Sequence, residues 1–232
     1  MTRLLLFSNS TNHGQGYLDH AVDEMLDFLG PVRRMLFVPF ALHDRGGYAA
    51  KFRERLAQVG IEVDELVADR TAARRIETAE AVFVGGGNTF RLLKTLQDER
   101  LLAPLGERAL AGMPYLGASA GINLACPTIR TTNDMPIVEP AGFEALGLVP
   151  FQINPHYVDP APGSTHMGET RAQRIAEFLE DNDRVVVGLR EGAWIRGDEQ
   201  GLRLGGKNGA RIFRRAAEPE ERAPGASLDD LV

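Results

Sequence analysis

Ser119 stands in the string Gly117-Ala118-Ser119-Ala120-Gly121, between the apolar run Met113-Pro114-Tyr115-Leu116 and the helix-forming Ile122-Asn123-Leu124-Ala125. A Gly-x-Ser-x-Gly string between a strand and a helix is a nucleophile elbow. So tight a turn crowds the backbone, and only small residues fit beside the serine. Its hydroxyl is pushed out from the end of the sheet, toward the free N–H groups of the helix that follows. The plain alternative is a helix-capping serine in a small-residue turn. The string therefore carries chemistry only if the rest of the chain supplies a base, an orienting acid and a second set of oxyanion donors.

A serine nucleophile needs a general base, usually histidine, held in one tautomer by a carboxylate. The chain has five histidines. His13, His20 and His43 precede the elbow in loop or helix contexts, and His20 is expected to face solvent. His156 follows the strand-like Phe151-Gln152-Ile153-Asn154-Pro155. It is expected on the same sheet rim as Ser119 and is the candidate base. Two acids stay open. Asp134 is the sole acid of the polar stretch Pro127–Pro136, and Glu191 ends the predicted strand at Arg184–Leu189. Serine hydrolases use several chain orders, so order does not choose between them. Gly85-Gly86-Gly87 closes the apolar run Ala81–Val84, where backbone N–H groups can face a ligand. The Gly-Lys-Ser/Thr ending of a phosphate loop is missing.

Other constellations are weaker. His156, Asp159, His166 and Glu169 fit no compact zinc spacing, and no His-Glu-x-x-His helix occurs, so no metal and no cofactor is expected. Gly14-Gln15-Gly16 lacks the third glycine of a dinucleotide fingerprint, Asp19 standing there; the loop reads as structural or as an active-site wall. Cys126, the only cysteine, is expected to pack in the core.

The elements that must position these residues alternate. Strands are predicted at Leu4–Ser8, Arg34–Pro39, Ile61–Leu66 and Ala81–Val84. Helices are predicted at Tyr17–Leu29, Tyr48–Val59, Thr71–Ala79, up to about Leu96, and Leu101–Ala111. This rhythm implies parallel βαβ units, buried on both faces, that bind ligands at the carboxyl ends of the strands. The fold class is α/β, three layers around a mostly parallel sheet. A helix at Gly168–Leu179 and short antiparallel strands at Ala193–Arg196, Gly201–Leu204 and Ala210–Phe213 follow. A single catalytic domain over 1–232 is expected, with a charged tail from Ala217 that frays.

At 232 residues with a net charge of −6, 44% hydrophobic and 25% charged, the chain has no basic cluster. Nucleic acid and anionic membrane are disfavoured as partners. One cysteine allows no intramolecular disulfide, which fits a cytoplasmic location. The apolar run Leu4–Phe7 is too short for a signal peptide or a membrane span.

Several stretches together resemble the peptidase E family of serine peptidases, the α-aspartyl dipeptidases. They are Leu5–Thr11, Val84–Phe90, Gly117–Val138, Gln152–His156 and Gly168–Arg171, in family order along nearly the whole chain. The resemblance implies a cytoplasmic hydrolase acting on dipeptides with N-terminal aspartate, on a fold similar to class I glutamine amidotransferases. It carries Ser119 over as nucleophile and His156 as base, with Asp134 and Glu191 both matching positions considered for the acid. Gly86, Gly87 and Ala120 match oxyanion donors. Asn88, Arg171 and Arg130 are the substrate-binding candidates, with Arg171 favoured to read the aspartate carboxylate. A homodimer is compatible with this reading. A cyanophycinase-like peptidase of the same superfamily is the alternative enzyme, and an amidotransferase-like binding domain the alternative without catalysis.

Overall fold

The structure, a computed structural model, describes residues 2–160 and 168–232. In chain order the first half holds β1 (Leu4–Phe7), α1 (Val22–Leu29), β2 (Arg34–Val38), α2 (Arg45–Ala57), β3 (Glu62–Glu65), α3 (Ala72–Thr78), β4 (Val82–Val84), α4 (Thr89–Asp98), α5 (Leu102–Leu110), β5 (Tyr115–Ala118) and α6 (Ala120–Ala125). The second half holds β6 (Gln152–Tyr157), α7 (Arg171–Asp181), β7 (Val186–Arg190), β8 (Ala193–Asp198), β9 (Gly201–Gly206), β10 (Ala210–Phe213), β11 (Glu220–Arg222) and a 3-10 turn at Asp229–Leu231.

The main sheet has seven strands in the order β3-β2-β4-β5-β1-β8-β9. The first five run parallel, and β8 and β9 add an antiparallel edge. β1 shows why a parallel strand reads as a continuous apolar run. Leu4 and Leu6 point into one core, and Leu5 and Phe7 into the other. α1 and α2 cover the Leu5–Phe7 face, with Phe37 stacked on Phe52 at 4.1 Å between ring centroids. Residues of α3 to α6 cover the opposite face. The expected α/β class with a mostly parallel sheet is therefore the observed one. α1 begins later than expected. Leu18 adopts φ 60°, outside helical geometry, so the apolar periodicity from Tyr17 belongs at first to turns.

The sequence places His156 on the same rim as Ser119, within one sheet. The structure instead builds β6 into a second sheet, of four strands in the order β11-β10-β7-β6. The β6–β7 pair is parallel, and the other pairs are antiparallel. The expected antiparallel strands of the C-terminal region divide accordingly: β8 and β9 extend the main sheet, while β10 joins β7. Alternation in β7 attaches the second sheet to the first. Val187 and Leu189 enter the same core as α4 and α6, whereas Val186 packs with Ile175 and Leu179 of α7. The tail does not fray. Leu228 is fully buried and Leu231 nearly so, both in the main core, and the Leu228 N–H donates to the Leu202 carbonyl at 2.8 Å. Among the described residues no helix is long and apolar enough to cross a membrane.

Candidate active site

β5 ends at Ala118 and α6 starts at Ala120, so Ser119 alone makes the turn, at φ 52° and ψ −108°. This left-handed value is strained for any residue with a side chain. Packing dictates its neighbours. A Cβ on Gly121 would lie 2.2 Å from the Val84 carbonyl oxygen, and one on Gly117 would lie 2.8 Å from the Gly121 carbonyl oxygen. Without those two glycines α6 could not start against β4. The Ser119 N–H donates to the Phe7 carbonyl at 3.1 Å, which ties the bend to β1.

His156 arrives from the other sheet. The β6–β7 register shifts between Asn154 and Tyr157, and His156 takes φ 52° there. Such a bulge re-aims a side chain. The ring stands with Nε2 2.9 Å from Ser119 Oγ and Nδ1 2.7 Å from Glu191 Oε1. Glu191 sits in the turn between β7 and β8, and its carbonyl accepts from Asn208 Nδ2 at 2.6 Å. The cluster is open to water: the His156 side chain is 37% exposed and that of Glu191 53%.

Two residues at the end of β1, Ser8 and Asn9, hold the relay together. Ser8 Oγ accepts the His156 N–H at 2.9 Å and donates to the Leu189 carbonyl at 2.8 Å. Asn9 Oδ1 accepts the Gly192 N–H at 2.7 Å, next to Glu191. Both side chains are buried. The sequence assigns them no role: Ser8 reads as the last residue of the predicted strand and Asn9 as the start of the polar loop after it. Their signal was continuity with the buried strand before them.

The glycine loop lies beside the serine. A Cβ on Gly86 would sit 3.2 Å from Ser119 Cβ, and one on Gly87, at φ 133°, would sit 2.7 Å from the Ala41 carbonyl oxygen. Among the described residues no acceptor takes the N–H of Gly87 or of Ala120. The buried Tyr48 ring packs under the loop, where a Cβ on Gly85 would lie 2.8 Å from its hydroxyl.

Asp134 lies at the start of α4, away from this relay. Its carboxylate accepts from Thr89 N at 2.7 Å, Thr89 Oγ1 at 2.6 Å and Thr132 Oγ1 at 3.1 Å, while His156 Nδ1 meets Glu191. Asn88 caps α4 by accepting the Arg91 N–H at 3.0 Å, and its amide donates to the Met135 carbonyl at 2.9 Å. Arg171 opens α7 half-buried. Burial pushes its pKa down from the usual guanidinium value, with Arg174 adding to this and the Asp134 charge opposing it. Arg130 is exposed and lies 4.8 Å over the Phe143 ring.

The remaining candidates fall elsewhere. His20 does not face solvent freely; its ring meets Phe7 edge-on at 6.3 Å, and burial pushes its pKa down. Asp159 is held by Arg190 at 2.7 and 3.1 Å, which keeps its carboxyl below the usual range. His166 lies outside the described residues. Cys126 is the buried C-cap of the elbow helix, donates to the Ile122 carbonyl at 3.3 Å, and has a pKa pushed up to about 12 by burial.

A cavity of about 470 Å³ opens at the serine, lined by Ser119, His156, Gly87, Tyr17, Tyr48 and Lys51 among others. Held this way, a serine hydroxyl can lose its proton to an imidazole as it attacks a carbonyl.

The chain is similar to known proteins along most of its length. The profile of peptidase family S51 matches residues 4–205. "Peptidase E" of Streptomyces coelicolor is 55% identical over 99% of this chain and 94% of its own. A Drosophila melanogaster protein named "Probable alpha-aspartyl dipeptidase" is 46% identical over 99% of this chain and 97% of its own. The crystal structure of a peptidase from an acI-B1 Actinobacterium shares the fold with a TM-score of 0.69, at 18% identity over 98% of this chain and 96% of that one.

Proposed function

The chain belongs to peptidase family S51, and from that premise we propose that it is a serine dipeptidase that removes aspartate from the amino end of Asp-X dipeptides. The observation that carries the reading is the continuous relay Ser119–His156–Glu191, at 2.9 and 2.7 Å. His156 takes the Ser119 proton at Nε2 as the oxygen attacks the scissile carbonyl. Glu191 holds the proton on Nδ1 and stabilises the imidazolium that forms. The oxyanion accepts from the N–H groups of Gly87 and Ala120, each donor worth about 3 kcal/mol in the transition state. Imidazolium then gives its proton to the leaving amine, the C–N bond breaks, and an acyl-Ser119 remains. Water, deprotonated by the same imidazole, releases aspartate.

Aspartate selectivity needs a cation that meets the substrate carboxylate where water is scarce. Arg171 suits this role: it is half-buried and feels the charge of Asp134. Asp134 then serves as anchor for the α4 start and as field partner of Arg171, rather than as the acid behind His156.

The test is hydrolysis of Asp-Leu, isoaspartyl-Leu and cyanophycin by the wild type and by Ser119→Ala. Asp-Leu alone should be cleaved, and only by the wild type. Cleavage of cyanophycin or the isoaspartyl peptide in its place would assign a β-linked substrate. Arg171→Met should lose the Asp-Leu preference and still label at Ser119 with a fluorophosphonate.

A further inference from the structure

Resting on the dipeptidase reading, we propose that Lys51 binds the free carboxylate of the leaving residue, and so favours substrates that end one residue past the scissile bond. The leaving amine must take its proton from His156 Nε2, so the leaving residue lies in the space His156 lines. That space is the cavity of about 470 Å³ that also contains Ser119 and Gly87. Neither Arg171 nor Asn88 lines it. They belong to the start of α7 and to the cap of α4, beside Asp134, which assigns the aspartate side chain to a place outside this cavity.

The far wall of the cavity is one face of α2. Tyr48 and Lys51 are three residues apart in that helix and so share a face. Lys51 is the only cationic side chain lining the cavity among the described residues. Its Nζ rests 4.6 Å over the Tyr17 ring, which holds the ammonium toward the cavity without neutralising it. Tyr17 and Tyr48 meet at their hydroxyls, 3.5 Å apart, and form an aromatic floor for an apolar leaving side chain. Asp44 shares the wall, but its carboxylate accepts the Gly47 N–H at 2.9 Å as the cap of α2. A carboxylate arriving here therefore meets the Lys51 ammonium, while the Asp44 carboxylate on the same wall is turned to the N-terminus of α2.

The experiment compares kcat/KM for Asp-Leu and for Asp-Leu-amide, which differ only in that terminal charge. Wild type should prefer the acid about tenfold, the scale of one charge-assisted hydrogen bond. Lys51→Met should bring the ratio near one, and Lys51→Arg should keep it. Added salt should shrink the wild-type ratio, since the pair is partly exposed. A ratio that survives in Lys51→Met, or is near one in the wild type, overturns the assignment and leaves the dipeptidase reading standing. Failure of the wild type to cleave either substrate overturns both.

Discussion

The two sheets contribute differently to the site. The seven-stranded sheet supplies Ser119 and the oxyanion candidates Gly86, Gly87 and Ala120, from loops that close β4 and β5. Those loops are held by backbone packed against backbone, with no room for a Cβ at Gly121 or Gly87. The four-stranded sheet supplies His156 and, at the exit of β7, Glu191. There the holding is done by hydrogen-bonded polar side chains, and the reactive groups are open to water. The nucleophile is thus fixed by sterics and its base by a polar seam. Sterics tolerate almost no substitution. A seam can be loosened by degrees.

Variants separate the two halves. His156→Ala should lower kcat by about 10⁴-fold or more, with the fold kept, because a triad acts as a unit. A smaller loss would mean that Ser119 is activated from within its own sheet. Glu191→Gln should lower kcat by about 10²- to 10⁴-fold by weakening the hold on Nδ1–H, while Asp134→Asn should act mainly on KM. The reverse ranking would move the acid to the α4 side. Ser8→Ala should lower kcat about tenfold with KM nearly constant, as expected when a positioned group drifts without losing its substrate. Ser8→Thr, which keeps the hydroxyl, should recover part of the loss, and a structural defect alone would show in thermal unfolding. The smallest effect belongs to Cys126. A thiol with its pKa pushed up to about 12 stays protonated at neutral pH, so iodoacetamide should leave native activity intact. Inactivation by the reagent would show that the elbow helix opens.

The elbow was legible in the sequence because its physics is local. Small residues on both sides of Ser119, between an apolar run and a helix, permit few other structures. The parallel sheet was legible for a similar reason, since runs such as Leu4–Phe7 are buried on both faces. The second sheet was not. Gln152–Tyr157 reads as a strand, but which strands it pairs with is a long-range choice, and the bulge that turns His156 outward leaves no mark in composition. The tail misled through its charges. Leu228 and Leu231 are two apolar residues in a polar segment, and they are buried because β9 offers its edge. Arg34 and Arg130 look alike as scattered surface cations, while Arg171 is distinguished only by where α7 begins.

The Ser8–Leu189 and Asn9–Gly192 bonds span 181 and 183 residues. β1, at Leu4–Phe7, has its β8 neighbour at Ala193–Asp198, with the parallel part of the sheet between them in sequence. Contacts so distant along the chain form late. A refolding chain should therefore form its nucleophile turn before the imidazole is braced against it, so that hydrolysis returns only with the last long-range contacts.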